Sequence, residues 1–310
     1  MDMTEFTDPF TRLIEDICTP SAIREIEEGG NPAEMWNAFA ESGFLDALVA
    51  EESGGAGLSL AEAAPLIGLL GAHAVPLPVG DTMVARALLA ASRMDYPDGP
   101  LAIATGAGAV PFAATATHIL SGTPEAPVLS DARVEKTGVH HDLDAFAPGL
   151  DGRALRPIAA VLRALLISGA AGRVLEMTVD YANARAQFGK PIGKQQAVQQ
   201  QLSILAEQAV AARIAASIGA RGGLTPRLAD AAIAKHGASL AAGQIAAITH
   251  AVHGAIGISE EYDLQLLTRR LHGWRLADGS ESYWARILGA ERMAAATSST
   301  ADFIRAARVS

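Results

Sequence analysis

The pattern of hydrophobic and polar positions divides the 310-residue chain into three parts. Residues 1–95 are predicted to form helices, and helix-start signals stand at two places. Asn31 precedes Pro32, and Glu34 follows, so an N-cap, a first helical position and an acidic first turn come in order. Ser59 and Glu62 have the spacing of a second capping box. We interpret the Gly-rich segment between these starts as a loop that connects two helices.

Residues 96–152 have a different pattern. Pro97 and Pro100 end the helical part, and short, partly alternating segments split by Gly and Pro follow. This pattern predicts a small β unit of about five short strands at most. His140 and His141 are neighbours here, but adjacent residues of a strand point to opposite faces, so we expect no shared metal ion.

From residue 153 onward the pattern is helical again. Residues 157–172 form the longest apolar stretch, interrupted by Arg163, and are apolar on nearly every face. They are therefore predicted to belong to a buried central helix. Gly169 and Gly172 are expected to let a neighbouring backbone approach closely.

Further helices are predicted after this one. Residues 194–218 carry a stripe at i, i+4, i+7 spacing, typical of a bundle or interface helix: Val198, Leu202, Leu205, Ala209 and Ala212. Thr225 and Pro226 start a helix that extends to about His250. Two more helices are expected at roughly 259–271 and 280–309, with Ser280 as a candidate cap.

The fold class that follows is mainly α, with a domain order of α, β, α. We predict an N-terminal helical domain over residues 1–95, a small β domain over residues 96–152 and a C-terminal four-helix bundle over residues 153–310.

Composition excludes several classes of function. The formal net charge of −10 disfavours binding to nucleic acid or to an anionic membrane surface. Cys18 is the only cysteine, so the chain has neither an internal disulfide nor a cysteine-based metal site. The acidic N-terminus has no apolar signal core, and the longest apolar stretch is short for a membrane span. We expect a soluble protein of the cytoplasm.

Four segments in series resemble the acyl-CoA dehydrogenase family. The most specific is RAQFGKPIGKQQAVQQQLS at 185–203, which is close to the family's Arg-x-x-Phe-Gly-x-x-Ile…Gln motif. A Gly-rich turn at 48–66, a second Gly-rich turn with Glu-Tyr and basic residues at 253–270, and the segment 277–291 are also similar to the family.

The resemblance implies an FAD that belongs mainly to a neighbouring subunit. It assigns Arg185 and Gln187 to the pyrophosphate and ribityl chain. A helix N-terminus and a planar guanidinium both suit phosphate oxygens, and amide side chains add hydrogen bonds without charge. The alternative is that Arg185 pairs with a surface carboxylate and that the glutamines are only solvated. The other residues that the resemblance assigns to the cofactor are Phe188, Gln195, Gln196, Gly254, Gly279 and Ser280.

The reaction that the resemblance implies is α,β-desaturation of an acyl-CoA thioester, in which a carboxylate removes the α-proton and FAD accepts a hydride. Asp278 stands where most members of the family have the glutamate of Glu-Gly-Thr, and its side chain is one methylene shorter. Some members carry the glutamate on the long buried helix, where this chain has residues 161–164 and no carboxylate. The alternative for Asp278 is a polar turn residue before a helix cap.

The chain also departs from the family. Its β part is short, and we find no Thr-Glu-Pro-x-x-Gly-Ser-type segment in it. Ala251 replaces a usual Gln, and Gly254-Ala255 replaces a Gly pair. The resemblance therefore implies a short subunit beside a full-length dehydrogenase, as in the heterotetramers that degrade steroid side chains. A homo-oligomer is the second hypothesis, and a non-catalytic helical scaffold is the rival from another class.

Overall fold

The structure is a computed structural model that describes residues 4–106, 109–132, 135–136, 145–146, 152–295 and 299–309. The predicted histidine pair at 140 and 141 lies outside these residues. The first part of the chain is helical, as predicted. Its five helices are α1 (Thr4–Ile17), α2 (Pro20–Glu27), α3 (Ala33–Glu41), α4 (Leu60–Ala72) and α5 (Val79–Ala91).

The two helix starts predicted for this part have different outcomes. Ser59 and Glu62 form the capping box, because the Ser59 side chain accepts from the Glu62 N–H while the Glu62 carboxylate accepts from the Ser59 N–H. At α3 the prediction is wrong by one residue. Pro32 occupies the N-cap position, and Asn31 Oδ1 accepts from the Ala33 N–H at 3.1 Å.

The middle part contains short strands, one more than the five predicted. They are β1 (Leu101–Ile103), β2 (Ala109–Val110), β3 (His118–Gly122), β4 (Pro127–Asp131), β5 (Glu135–Lys136) and β6 (Ala145–Phe146). They form two three-stranded sheets of order β1-β3-β4 and β2-β6-β5. β1 and β3 pair in parallel, with Leu101 opposite His118, and the other pairs are antiparallel. The Thr82 hydroxyl accepts from the Leu101 N–H at 2.9 Å and so anchors the first sheet on α5.

The C-terminal part is a bundle of long helices. Their bounds are α6 (Arg156–Ala184), α7 (Gln196–Ala220), α8 (Leu228–His253), α9 (Leu264–Leu276), α10 (Glu281–Ala294) and α11 (Thr300–Val309). α6, α7 and α8 pack on one another, α9 packs on α6 and α8, and α10 packs on α8. A short hairpin of β7 (Ala186–Gln187) and β8 (Lys190–Pro191) joins α6 to α7.

Two predicted helices differ from the structure. The helix expected at 259–271 is α9, which begins five residues later, at Leu264. The helix expected at 280–309 is two helices, because Ala295 is extended and ends α10. Ser299 then caps α11 by accepting from the Asp302 N–H at 3.1 Å. A capping residue within a helical pattern is only a weak signal of a new helix start.

α6 is the buried central helix that the apolar stretch predicted, and its residues from Ile158 to Ile167 are all buried. α4 crosses it closely, since a Cβ at Gly169 would lie 1.8 Å from the Gly68 carbonyl oxygen. The same expectation for Gly172 is wrong, because nothing lies within 4 Å of a Cβ built there. One hydrophobic core runs without interruption from α1 to α10.

Two helical segments are long and apolar enough, by length and composition, to cross a membrane. They are Arg153–Ala184 and Gln196–Ala220. In the first, 72% of the apolar window is buried inside the protein, against 33% in the second. α7 therefore leaves much of its apolar surface outside the core.

Candidate functional site

Two cavities contain most of the residues that the sequence singled out. The larger, of about 690 Å³, lies where α6 ends, α7 begins and α8 ends. We call it the Arg185 cavity, and its polar and aromatic lining consists of Tyr181, Arg185, Gln187, Gln195, Gln201 and His253. The smaller, of about 290 Å³, is the Asp278 pocket, and it is lined by Thr105, Arg156, Asp278, Gly279 and Tyr283, together with two small residues of the β unit.

The end of α6 places Arg185 at the mouth of the larger cavity. The Arg185 N–H donates to the Tyr181 carbonyl at 2.8 Å, which closes the helix, and the Arg185 backbone is then extended. The Arg185 carbonyl accepts from the Ile192 N–H at 2.8 Å, so the hairpin returns directly to the start of α7. Gln187 pairs with Lys190 across this hairpin.

The Arg185 side chain is exposed, and no carboxylate of the described ranges forms an ion pair with it. The alternative that it pairs with a surface carboxylate therefore finds no support among those residues. A guanidinium that lies in the same cavity as the start of a helix can bind an anion through two parallel hydrogen bonds.

Only one face of α7, the glutamine-rich helix, lines the cavity. Gln195 stands just before α7, and Val198 and Gln201 follow at helical spacing. Gln196 lies about 200° around the helix from Val198 and is exposed outside the cavity. The cavity thus contains Gln195 but not Gln196. It also contains Gln201, which was not among the sequence candidates although it lies three residues after Val198.

Gly254 closes the far side of the cavity at the end of α8. Its φ of 65° and ψ of −145° are values that residues with a Cβ avoid, and its N–H donates to the His250 carbonyl. The preceding His253 is buried and stacks on Tyr181, with ring centroids 4.3 Å apart. Burial lowers the pKa of His253, which favours a neutral ring at neutral pH. Neither aromatic residue was among the sequence candidates.

Phe188 lies outside both cavities. It stands at the tip of the β7–β8 hairpin with a φ of 53°, and 95% of its surface is exposed. A phenylalanine in the left-handed region with almost no contacts within its own chain is an unusual surface residue.

The Asp278 pocket lies where the β unit, the start of α6 and the start of α10 meet. Arg156 Nη1 donates to the Tyr283 hydroxyl at 3.1 Å, and Arg156 Nη2 donates to the Thr105 carbonyl at 2.7 Å. Ser280 caps α10 by accepting from the Tyr283 N–H, as predicted, and it does not line the pocket. Gly279 has no room for a side chain, since a Cβ would lie 2.7 Å from Trp284 Nε1.

The carboxylate of Asp278 is held by two side chains. Oδ1 accepts from the Thr105 hydroxyl at 2.8 Å, and Oδ2 accepts from Arg163 Nε at 3.0 Å. Arg163 also donates through Nη2 to Asp81 Oδ2 at 2.7 Å. Burial alone would lower the pKa of Arg163, but Asp81 and Asp278 outweigh it and raise that pKa, so the guanidinium stays charged.

A buried lysine completes this group. Lys235 Nζ donates to Ser239 Oγ, to the Arg275 carbonyl and to the Gly279 carbonyl at 3.1, 2.8 and 2.9 Å. Burial lowers the pKa of Lys235 to about 7. In the sequence, Arg163 appears only as a break in an apolar run, and Asp81 and Lys235 were not among the candidate residues. In each case the available signal was a charged residue within a largely apolar stretch of helix.

The predicted site residues thus separate into three groups. Arg185, Gln187, Gln195 and Gly254 share the larger cavity, and Asp278 and Gly279 share the smaller pocket. Three others line neither: Phe188, Gln196 and Ser280.

A helical N-terminal part, a small β unit and a C-terminal helix bundle with a cationic cavity at a helix entrance define an acyl-CoA dehydrogenase fold. The chain belongs to the acyl-CoA dehydrogenase family. The family's N-terminal domain matches residues 2–92, and its C-terminal domain matches residues 158–294.

Relatives and solved structures agree with this assignment. The acyl-CoA dehydrogenase IpdE2 of Mycolicibacterium smegmatis is 32% identical over 289 residues, which are 84% of this chain and 89% of that protein. The ChsE4-ChsE5 complex of Mycobacterium tuberculosis has a chain that superposes with a TM-score of 0.78 at 21% identity, over 95% of this chain and 98% of that one. PigA with FAD and proline gives a TM-score of 0.75 at 17% identity, over 94% and 97% of the two chains.

Proposed function

We propose that the chain is a subunit of an FAD-dependent acyl-CoA dehydrogenase. The reaction removes a proton from the α-carbon of an acyl-CoA thioester and transfers a hydride from its β-carbon to FAD, so that the thioester becomes α,β-unsaturated and the flavin is reduced. One observation carries the proposal. The guanidinium of Arg185 has no ion-pair partner among the described residues and shares a cavity of about 690 Å³ with three glutamines and the start of α7.

The residues of this cavity fit the diphosphate part of FAD. The volume lies within the range of about 300–1,000 Å³ that is usual for ligand sites. Arg185 would bind phosphate oxygens, and the N-terminus of the 25-residue α7 adds the positive end of a helix dipole. Gln187, Gln195 and Gln201 would donate hydrogen bonds to the cofactor from two sides of the cavity. FAD supplies the hydride acceptor when it is bound.

We propose further that the subunit works in a hetero-oligomer with a related dehydrogenase chain. α7 presents Ile204, Val210 and Ile214 to solvent, each about half exposed, on a helix that is mostly outside the core. Exposed apolar side chains on one helix favour a protein interface. The likeness to a chain of the ChsE4-ChsE5 complex, which contains two different proteins by its name, supports the same arrangement.

A second candidate function has one observation in its favour. The carboxylate of Asp278, which the family resemblance offers as the base, is fixed by Arg163 and Thr105. A helical scaffold subunit that keeps the fold only for assembly needs no free base. A carboxylate held by Arg163 and Thr105 is consistent with such a subunit. The two candidates differ in whether the assembled protein contains flavin.

Flavin absorbance near 450 nm tests the proposal. The chain would be purified alone and after co-production with a full-length dehydrogenase chain from the same genome. We expect the co-purified complex to be yellow and the Arg185→Ala complex to lose most of its flavin on dialysis. Arg286→Ala is the matched control, because Arg286 is an exposed arginine of α10 that lies outside both cavities. Colourless protein under both conditions would support the scaffold, and equal flavin in the two variants would remove the role of Arg185.

A further inference from the structure

We propose that Asp278 is a fixed counter-ion of Arg163 and that the Asp278 pocket of this chain contributes no proton acceptor to the reaction. The inference rests on the proposed function and deepens it, because it defines what the subunit supplies. It would supply the cation of the Arg185 cavity but not the base. Asp278 is the only carboxylate among the described residues that line the smaller pocket.

The first support is that both oxygens of the Asp278 carboxylate already accept hydrogen bonds from side chains of the protein. Arg163 Nε lies 3.0 Å from Oδ2, the Thr105 hydroxyl lies 2.8 Å from Oδ1, and the Asp278 side chain is only 2% exposed. A base must approach the α-carbon of its substrate to within hydrogen-bonding distance of the proton. Here both oxygens are directed to groups of the protein itself, and little of the side chain reaches the pocket.

The second support is the position of Arg163. Its side chain is fully buried in the first third of α6, and the centroid of the Phe112 ring lies 5.4 Å from the guanidinium carbon. Asp81 on α5 and Asp278 are its two ion-pair partners, at 2.7 and 3.0 Å. An ion that is buried this deeply requires compensation by charges of opposite sign, because the interior solvates it poorly.

The third support is that Arg163 depends on both carboxylates. Asp81 and Asp278 contact the same buried guanidinium, at 2.7 and 3.0 Å, so loss of either contact leaves this buried cation with only one of the two.

Hydrogen bonds also hold the backbone of the turn at Asp278 and Gly279. The Asp278 carbonyl accepts from Trp284 Nε1 at 3.1 Å, and the Gly279 carbonyl accepts from Lys235 Nζ at 2.9 Å. Asp278 itself has a φ of 56°, a left-handed conformation that aspartate tolerates and that the surrounding contacts fix. The turn that contains Asp278 thus connects α9 to α10 and contacts the β unit through Thr105. Arg163 and Lys235 are its positioning residues.

The test compares Asp278→Asn with Asp81→Asn in the flavin-bearing complex. Each variant removes one of the two carboxylates of Arg163, but Asp81 does not line the pocket. If both are counter-ions, both variants lower Tm by about 5–10 °C, since breaking a buried ion pair is strongly destabilising. Reduction of bound flavin would be followed at 450 nm with butanoyl-CoA, octanoyl-CoA and palmitoyl-CoA. With the thioester that bleaches wild-type flavin fastest, both variants should keep the rate per bound flavin to within about threefold.

A base gives a different result. The rate per flavin would then fall at least about a hundredfold in Asp278→Asn and not in Asp81→Asn, which would overturn the proposal. If Asp278→Asn does not fold, the triple variant Asp81→Leu/Arg163→Met/Asp278→Leu replaces it, because it removes the buried arginine together with both of its carboxylates. Recovery of a folded protein in the triple variant supports the counter-ion, and failure of the triple variant to fold contradicts it. If wild-type complex contains no flavin the proposed function fails, while the Tm comparison still decides the role of Asp278.

Discussion

The buried Lys235 ammonium should make the stability of the protein depend on pH in a narrow window. Its side chain is 0% exposed, and burial lowers its pKa from the ordinary 10.5 to about 7. Three oxygen acceptors at 2.8–3.1 Å and the charge of Asp278 favour the protonated form, but burial outweighs the electrostatic contribution of Asp278. The perturbation is therefore a change of pH across neutrality.

The sign follows from counting protons in the two states. Below pH 7 both the folded and the unfolded chain hold the Lys235 proton, and the free energy of unfolding includes the full cost of burying a charge. Between about pH 7 and 10.5 only the unfolded chain holds it, so the free energy of unfolding rises with pH. At about 1.36 kcal/mol for each pKa unit, the whole effect is about 5 kcal/mol, and roughly 2–3 kcal/mol falls between pH 7 and 9.

Equilibrium unfolding in urea at constant ionic strength, from pH 6.5 to 9, measures this slope. Lys235→Met is the matched variant, because it removes the titrating group and keeps an unbranched side chain. We expect the free energy of unfolding to rise by about 2–3 kcal/mol in the wild type relative to the variant across the window. Equal slopes for the two proteins would show that the three acceptors keep the lysine protonated, and the reasoning from burial would be wrong.

Three further predictions follow from packing and burial. Gly169→Ala should destabilise the protein by about 1–3 kcal/mol in urea unfolding, because its Cβ would lie 1.8 Å from a carbonyl oxygen of α4, whereas Gly172→Ala, with nothing within 4 Å, should be neutral or slightly stabilising. Cys18 is buried and burial raises its pKa to about 12, so a thiol reagent at pH 8 should label it only after unfolding, and rapid labelling of the folded protein would contradict this. Gln201→Ala should weaken flavin retention in the complex and Gln196→Ala should not, and equal retention measured at 450 nm would oppose the assignment of the α7 face.

Local signals in the sequence predicted the elements that depend on neighbours in the chain. The Ser59–Glu62 box, the cap at Ser280 and the apolar run of α6 each involve residues a few positions apart, and the structure has all three. The helix break at Ala295 was missed because its signal is weak beside the strong helical pattern around it. Short-range physics was thus sufficient for most helix positions, with errors of a few residues at their ends.

The surroundings of Asp278 could not be predicted in this way. Arg163 lies 115 positions before it in the chain, and Asp81 lies 82 positions before Arg163. Several charged residues lie in largely apolar helices. The packing of α5, α6 and α10 decides which of these charged side chains come into contact. The sequence offered an aspartate at the family's catalytic position, and only the fold shows that a buried arginine holds its carboxylate.

The two cavities differ in how their charges are used, and this difference supports the role proposed for the chain. Arg185 is exposed and has no ion-pair partner among the described residues, so its charge is free for an external anion. Asp278 is buried and paired, so its charge balances the protein's own cations. A subunit that catalysed the whole reaction alone would need both groups free, one to hold the cofactor and one to take the proton. A subunit that completes the cofactor site of a partner needs only the first. Under the proposed function, the chain therefore keeps a cation for the phosphates of the cofactor, while the carboxylate of its second pocket serves the stability of the fold.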